Sequence, residues 1–254
     1  MTSRNTLANT RPRAASNLTA MAKRNSIASP IANRPQHNSG YRPQHILSEN
    51  RKTAVSLDLP IAGHCRPTKN CSHDCYAKSG PQAYPNSVRK HVWISRYLAG
   101  RDLSQLILEC RSQIAVRLSG SGDLNPCHTA AVVRLARACP STQFWGMTRK
   151  PEIAKSLMSK HLPNLRMMVT VDSSSPVATW RHDGALCYGP RRQTDTVPAD
   201  RRIITVFPRH CTGRVVGNVP SHPKDCPAIR HTAAGCHECG HCWSWKLNRK
   251  RKRV

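Results

Sequence analysis

Apolar positions along the chain change their period several times, and each change marks an element. From Tyr84 to Leu98 the apolar residues Val88, Val92, Trp93, Tyr97 and Leu98 recur at helical spacing behind Pro85. Asp102 offers a side-chain cap to a second helix carrying Leu103, Leu106, Ile107 and Cys110. The pattern then turns to alternation: Ile114 to Leu118 predicts a strand, His128 to Cys139 a helix, and Thr142 to Met147 a strand. Pro151 and Glu152 open a helix reaching about Lys160, with proline at its first position and an acid in its first turn. Strands follow at Leu165–Val171, Ala185–Tyr188 and Arg202–Phe207.

Strands alternating with helices imply crossover connections and hence a largely parallel sheet. The expected class is α/β with a mostly parallel sheet, and an incomplete (βα) barrel is the further expectation. Residues 51–245 are long enough for one such domain with a core of its own. No run approaches the ~20 apolar residues of a membrane span, and the first residues lack the apolar stretch of a secretory signal. A cytoplasmic setting with no membrane partner is expected.

Composition changes the picture at both ends. Net charge is +27, with 40 Lys and Arg against 13 Asp and Glu, and residues 1–48 contain no carboxylate at all. That segment is too poor in large apolar groups to offset its chain entropy, so residues 1–50 read as a disordered basic arm. A second basic tail, 246–254, closes the chain. Such tails suit a polyanion, since Lys and Arg on phosphates release condensed counterions. Nucleic acid is therefore the expected macromolecular partner, without a motif for sequence-specific readout.

The candidate chemistry lies in cysteine. Cys65, Cys71 and Cys75 form one group, and Cys226, Cys236, Cys239 and Cys242 another, within which the Cys-x2-Cys step occurs twice in succession. A disulfide framework is disfavoured in a chain of this length without a secretory signal. Three thiolates can hold a [4Fe-4S] cluster with one iron left open, although the spacing here is Cys-x5-Cys-x3-Cys where radical S-adenosylmethionine enzymes have Cys-x3-Cys-x2-Cys. Four more would close an auxiliary cluster, or one of them would complete the first group. Zinc is the alternative metal. His64, His73, His231, His237 and His241 crowd the same segments and are expected behind the thiols or facing solvent. Cys110, Cys127, Cys139, Cys187 and Cys211 stand singly and are expected mostly as small buried apolar residues.

Parallel sheets carry their sites at the C-terminal ends of strands. The residues ending the predicted strands are polar: Ser119 to Asp123, Thr148 to Lys150, Asp172 to Ser174, and Arg209 with His210. Among them Gly120, Gly122 and Asp123 are the candidates for a small-molecule ligand, the glycines allowing close backbone approach and the aspartate an anchor.

These residues resemble the phage-encoded gene product eighty-eight family. The resemblance rests on Leu59–Gly63 leading into the cysteines, Cys75-Tyr76-Ala77, Arg117–Asp123, Phe144–Lys150, Cys226-Pro227-Ala228, and Cys239-Gly240-His241-Cys242-Trp243. It covers about residues 55–245. It implies a cysteine-rich α/β protein of phage or mobile-element type, laid out like a radical S-adenosylmethionine barrel. The expected function is that of an iron-sulfur protein, with a radical S-adenosylmethionine-like enzyme as its sharper form. The alternative is a zinc-stabilised nucleic-acid-binding protein whose cysteines are structural.

Overall fold

The structure, a computed structural model, describes residues 40–50, 54–191, 194–208, 222–227 and 239–244. The basic arm before residue 40, the tail 246–254, and Arg209, His210, Cys211, His231, Cys236 and His237 lie outside them.

One sheet organises the fold. Its strands are β1 (Ser48–Asn50), β2 (Ala54–Leu57), β3 (Ala115–Leu118), β4 (Gln143–Thr148), β5 (Leu165–Val171), β6 (Leu186–Arg191) and β7 (Ile203–Pro208), and they lie side by side in chain order. β1 pairs antiparallel with β2, and every later pair is parallel. Beyond β7 the chain returns at residues 224–226, where Val206 N–H donates to Lys224 O and Cys226 N–H to Val206 O.

The helices are α1 (Lys69–His73), α2 (Pro85–Ala99), α3 (Ser104–Arg111), α4 (Thr129–Ala138), α5 (Pro151–Met158) and α6 (Val177–Trp180), with a further helical turn at His241–Ser244. The N-cap of α3 falls on Leu103, without a side-chain cap, and Asp102 stands one residue earlier than expected of a cap, its carboxylate accepting from the Ser104 N–H at 2.9 Å. Ile94 and Leu98 of α2, Leu106 of α3, Val132 and Leu135 of α4 and Ile153 and Leu157 of α5 join Val116, Phe144, Met167, Val169 and Leu186 of the strands in one core. The opposite face of the sheet holds a second, smaller cluster: Ala115, Trp145, Met168, Ala185, Cys187 and, from the C-terminal turn, Cys242.

Consecutive parallel neighbours with helices on one face describe a singly wound sheet, the winding by which strands accumulate around a barrel. No pairing closes it among the described residues: the α/β class and the parallel sheet are observed, and the barrel is not. The boundary drawn at residue 50 also moves. Residues 40–50 belong to the folded unit, with Ile46 fully buried and β1 on the sheet edge. Among the described residues, no helix is long and apolar enough to cross a membrane.

Candidate functional site

Cys65, Cys71 and Cys75 sit on the segment that leaves β2 and passes over the C-terminal ends of the neighbouring strands. Its start is fixed by interlocking with the end of β3. Gly120 N–H donates to Leu57 O, Leu59 N–H to Ser121 O, and the Asp58 carboxylate accepts from the Ser121 N–H at 3.0 Å and the Ser56 hydroxyl at 3.1 Å. Gly120 and Gly122 serve this contact. A Cβ on Gly120 would lie 2.3 Å from Asp58 Oδ1, and one on Gly122, whose φ is +67°, 2.3 Å from Leu59 O. The close approach they permit is made by the chain's own residues 56–60.

Asp123 follows directly. Its carboxylate accepts from the N–H of Leu124 at 2.8 Å and of Arg149 at 3.1 Å, tying the end of β3 to the end of β4. Burial raises its pKa against the pull of these donors and of Lys150. The Lys150 ammonium is itself buried and donates to Leu124 O at 2.6 Å and Asn125 Oδ1 at 2.5 Å.

The middle of the segment docks on the end of β5. Thr68 caps α1 by accepting from the Cys71 N–H at 3.2 Å, and its hydroxyl donates to Asp172 at 2.5 Å. Asn70 donates from its backbone to the Ser174 hydroxyl and from its side chain to the Ser173 hydroxyl. Arg149 joins these parts. Its guanidinium lies 3.0 Å from the Asp172 carboxylate and donates to Gly189 O at 2.9 Å, and its charge works against the rise that burial gives the Cys71 thiol pKa.

Behind Cys65 runs a chain of neutral donors and acceptors. Asn125 N–H donates to His128 Nδ1 at 3.2 Å, which leaves the proton on Nε2 to be given to the Ser95 hydroxyl at 3.3 Å. Ser95 donates to His64 Nε2 at 3.1 Å, and His64 Nδ1–H donates to Asp123 O at 3.1 Å. The two rings stack with centroids 5.4 Å apart. Burial lowers both pKa values, that of His128 to about 4, and the neighbouring His64 lowers it further. One tautomer per ring satisfies these four links, though the Asn125 amide nitrogen, 3.3 Å from His64 Nδ1, stays outside them, and the four hold only while both rings are neutral.

The three thiols influence one another. Burial pushes Cys65 up to about 12, helped by Asp123, Cys71 and Cys75 and opposed by Lys150; burial also raises Cys71, and Arg149 counters it. A thiol held as high as Cys65 is a poor nucleophile at neutral pH, and a soft metal that displaces the proton suits it better. Tyr76 closes the group, its hydroxyl donating to Gly120 O while its ring stays half exposed.

Of the second cysteine group, Cys226, Cys239 and Cys242 are among the described residues. Cys226 and Cys242 are both buried, Cys242 against the sheet face opposite the helices, and Cys239 is partly exposed. Cys187 shares the cluster of Cys242, and the Cys226 thiol is near enough to add to the rise that burial gives Cys187. Cys110, Cys139 and Cys187 are buried as expected of single cysteines, whereas Cys127 is exposed. Cys65, Cys71, Cys75, Cys110, Cys127, Cys139, Cys187 and Cys239 are free thiols. Among the described residues no group of three or more His, Cys, Asp or Glu side chains is arranged to hold a metal ion.

The strand-end residues Asp123, Arg149, Lys150, Asp172, Ser173 and Ser174 thus converge on the first cysteine group. Asp58, Ser95 and His128 carry no sequence signal for their part in it: each is an ordinary residue of a strand end or helix that tertiary packing brings to the site. A family model described as Gene product 88 matches residues 28–245. No curated protein and no solved structure matches the chain.

Proposed function

The chain belongs to the phage-associated Gene product 88 family, and from that premise and the site's geometry we propose that it is an iron-sulfur protein whose reactive cluster is held by Cys65, Cys71 and Cys75. The observation that carries the reading is the place of these thiols: one loop, partly buried and close enough to raise one another's pKa, at the C-terminal ends of parallel strands, with the Arg149 charge opposing the rise at Cys71. The residues fit such a group in kind. The donors are soft and three in number, and a cationic guanidinium and ammonium stand near to offset thiolate charge. A lone tetrahedral ion would need its thiols about 4 Å apart around one point, given metal–sulfur bonds near ~2.3 Å; a cluster takes its ligands around a wider core.

Held by three thiolates, such a cluster supplies an iron open to a ligand and a one-electron couple. The protein's own residues do the rest. Asp172 and Thr68 fix the helical turn that carries Cys71, the His64–Ser95–His128 chain fixes the approach to Cys65, and Arg149 and Lys150 keep two positive charges under the loop. In its sharper form the reading is a radical S-adenosylmethionine-like enzyme, supported by the singly wound parallel sheet and set against the unusual cysteine spacing. Cys226, Cys236, Cys239 and Cys242 would hold an auxiliary cluster.

The test is iron, sulfide and zinc analysis with an absorbance spectrum on protein purified without oxygen, repeated on the Cys65→Ala, Cys71→Ala and Cys75→Ala triple variant. Iron and sulfide that fall when the three are removed support the assignment. Zinc alone, or iron unchanged in the variant, overturns it. Reductive cleavage of S-adenosylmethionine by the fully loaded protein then decides the enzymatic form.

A further inference from the structure

The segment that holds the thiols has an outer surface the iron-sulfur reading does not use. Between residues 59 and 101 Asp74 is the sole carboxylate in the sequence, and its side chain is only 2% exposed, beside His73. On the outside of the same stretch, Arg66, Lys69, Lys78 and Arg89 are exposed. Among them stand aromatic rings: Tyr76 is 51% exposed and Tyr84 60%. Arg66 alone of these cations is shown paired with a carboxylate, at 2.7 Å from the exposed Glu152.

Tyr76 is the informative residue. Its hydroxyl is buried and donates to Gly120 O, so the ring is pinned from its far end, while half of the side chain's surface is left in water directly beside Cys75 and near Cys65. An aromatic ring fixed in orientation, exposed on its flank and surrounded by cations without competing acids is the arrangement that stacks an unpaired base and tracks its phosphates. A buried core tyrosine would hide the ring, and a solvating tyrosine would leave the hydroxyl wet.

We infer that the outer face of the thiol segment, Arg66 to Arg89, binds single-stranded nucleic acid, with Tyr76 and Tyr84 as stacking platforms and Lys69 and Lys78 on the phosphates. The inference deepens the reading above by naming the substrate class presented to the Cys65, Cys71 and Cys75 site. It assigns the contact to the folded domain in addition to any contribution of the basic tails. The charge balance of +27 over the whole chain favours a polyanionic partner.

The test uses the full chain, freed of metal by a chelator, so that its result is independent of iron. Fluorescence anisotropy is read with a labelled oligothymidylate of about 20 nucleotides, a duplex of equal length and anionic phosphatidylserine vesicles, over a salt series. Tyr76→Ala and Tyr84→Ala are each expected to weaken single-strand binding about 5-fold or more, the scale of one lost base stack. Tyr76→Phe, which keeps the ring and loses only the tie to Gly120 that fixes it, is expected to weaken binding less than Tyr76→Ala. Lys69→Glu with Lys78→Glu should lower both affinity and salt slope, and more than the same charge change at Lys155 and Lys160 on the α5 side. Equal effects of the two lysine pairs, or unaltered binding in both alanine variants, would overturn the inference. So would vesicle binding that responds to these variants while oligonucleotide binding does not. Tyr84→Ala guards against a folding artefact, because among the described residues its side chain makes no hydrogen bond and it is 60% exposed.

Discussion

Replacing Arg149 with methionine tests how the site is held together. The guanidinium is 11% exposed and faces an Asp172 carboxylate with no exposure at all, 3.0 Å away. Removing one partner of a buried ion pair typically costs 3–5 kcal/mol, roughly, because the other charge is left in a low dielectric. Asp172 would keep the Thr68 hydroxyl, the Ser174 N–H and the Ser174 hydroxyl, so it is not left bare. The expected loss therefore falls at the low end, about 3 kcal/mol. Part of it is the Gly189 carbonyl, which loses its donor. Urea unfolding of the metal-free protein measures it, as a lower midpoint with an unchanged m value. Asp172→Asn alone strands the cation, and the double variant strands neither, so the two single losses should exceed the double by roughly 1–3 kcal/mol. Asp172→Asn should raise the alkylation rate of Cys71, since it loosens the Thr68-capped turn and removes a charge that raises the thiol pKa, whereas Arg149→Met removes the cation that lowers that pKa. A loss below about 1 kcal/mol for Arg149→Met, or strict additivity in the cycle, would refute the view of Arg149 as the tie between β4, β5 and the thiol segment.

Acid should weaken the fold through His128. Its native pKa of about 4 lies below the unfolded value near 6.5, so the native state binds fewer protons; the contribution is full above about pH 6.5 and fades as pH falls towards 4, by at most ~3 kcal/mol. Asp123, with a raised pKa, works in the opposite sense, so the readout is the difference in pH dependence between wild type and His128→Asn, and parallel curves would contradict the assignment. Gly122→Ala should cost ~3 kcal/mol or more, since a left-handed φ of +67° is joined to a 2.3 Å approach to Leu59 O, whereas Gly63→Ala, at φ +72° with open space around it, should cost only ~1–2 kcal/mol. Thermal melts of the pair check the contrast, and equal losses would show that the clash is relieved. Asn164→Ala should cost about 2–4 kcal/mol, because its amide donates to the carbonyls of Ala136, Cys139 and Thr142 in the core, and a melt within a degree of wild type would count against that bridging role.

What the sequence disclosed follows the strength of its local signals. The strand Leu165–Val171 is legible to the residue, because a run rich in valine and methionine is bounded by Pro163-Asn164 on one side and Asp172 on the other. β2 escaped notice: Ala54–Leu57 is four residues, too short for a period to show. β6 was expected to stop at Tyr188 because Gly189-Pro190 normally breaks a strand, yet it continues beside β7 to Arg191, where a register shift accommodates it. The polar strand ends were legible as a class. Their convergence on Cys71 was not, since the Thr68–Asp172 contact spans 104 residues. Likewise, nothing about a serine within the α2 helix announces that it will bridge two histidines drawn from different loops.

The two faces of the sheet explain why chemistry belongs at its rim. In a singly wound sheet the face away from the helices is the one a closed barrel would enclose, and a barrel interior is filled by side chains. Here Trp145 is 2% exposed and Met168 and Cys187 are fully buried, with Cys242 laid against them from the C-terminal turn. Arg117 extends over the Trp145 ring at 5.4 Å. Among the described residues these side chains and the turn pack together on that face. The C-terminal ends of β3, β4 and β5 instead present Asp123, Arg149 and Asp172, and the loop from β2 brings three thiols to them. Arg149 lies on the boundary of both regions: it faces Asp172 at the rim, and its charge opposes the rise in pKa that burial gives both Cys71 there and Cys187 on the inner face.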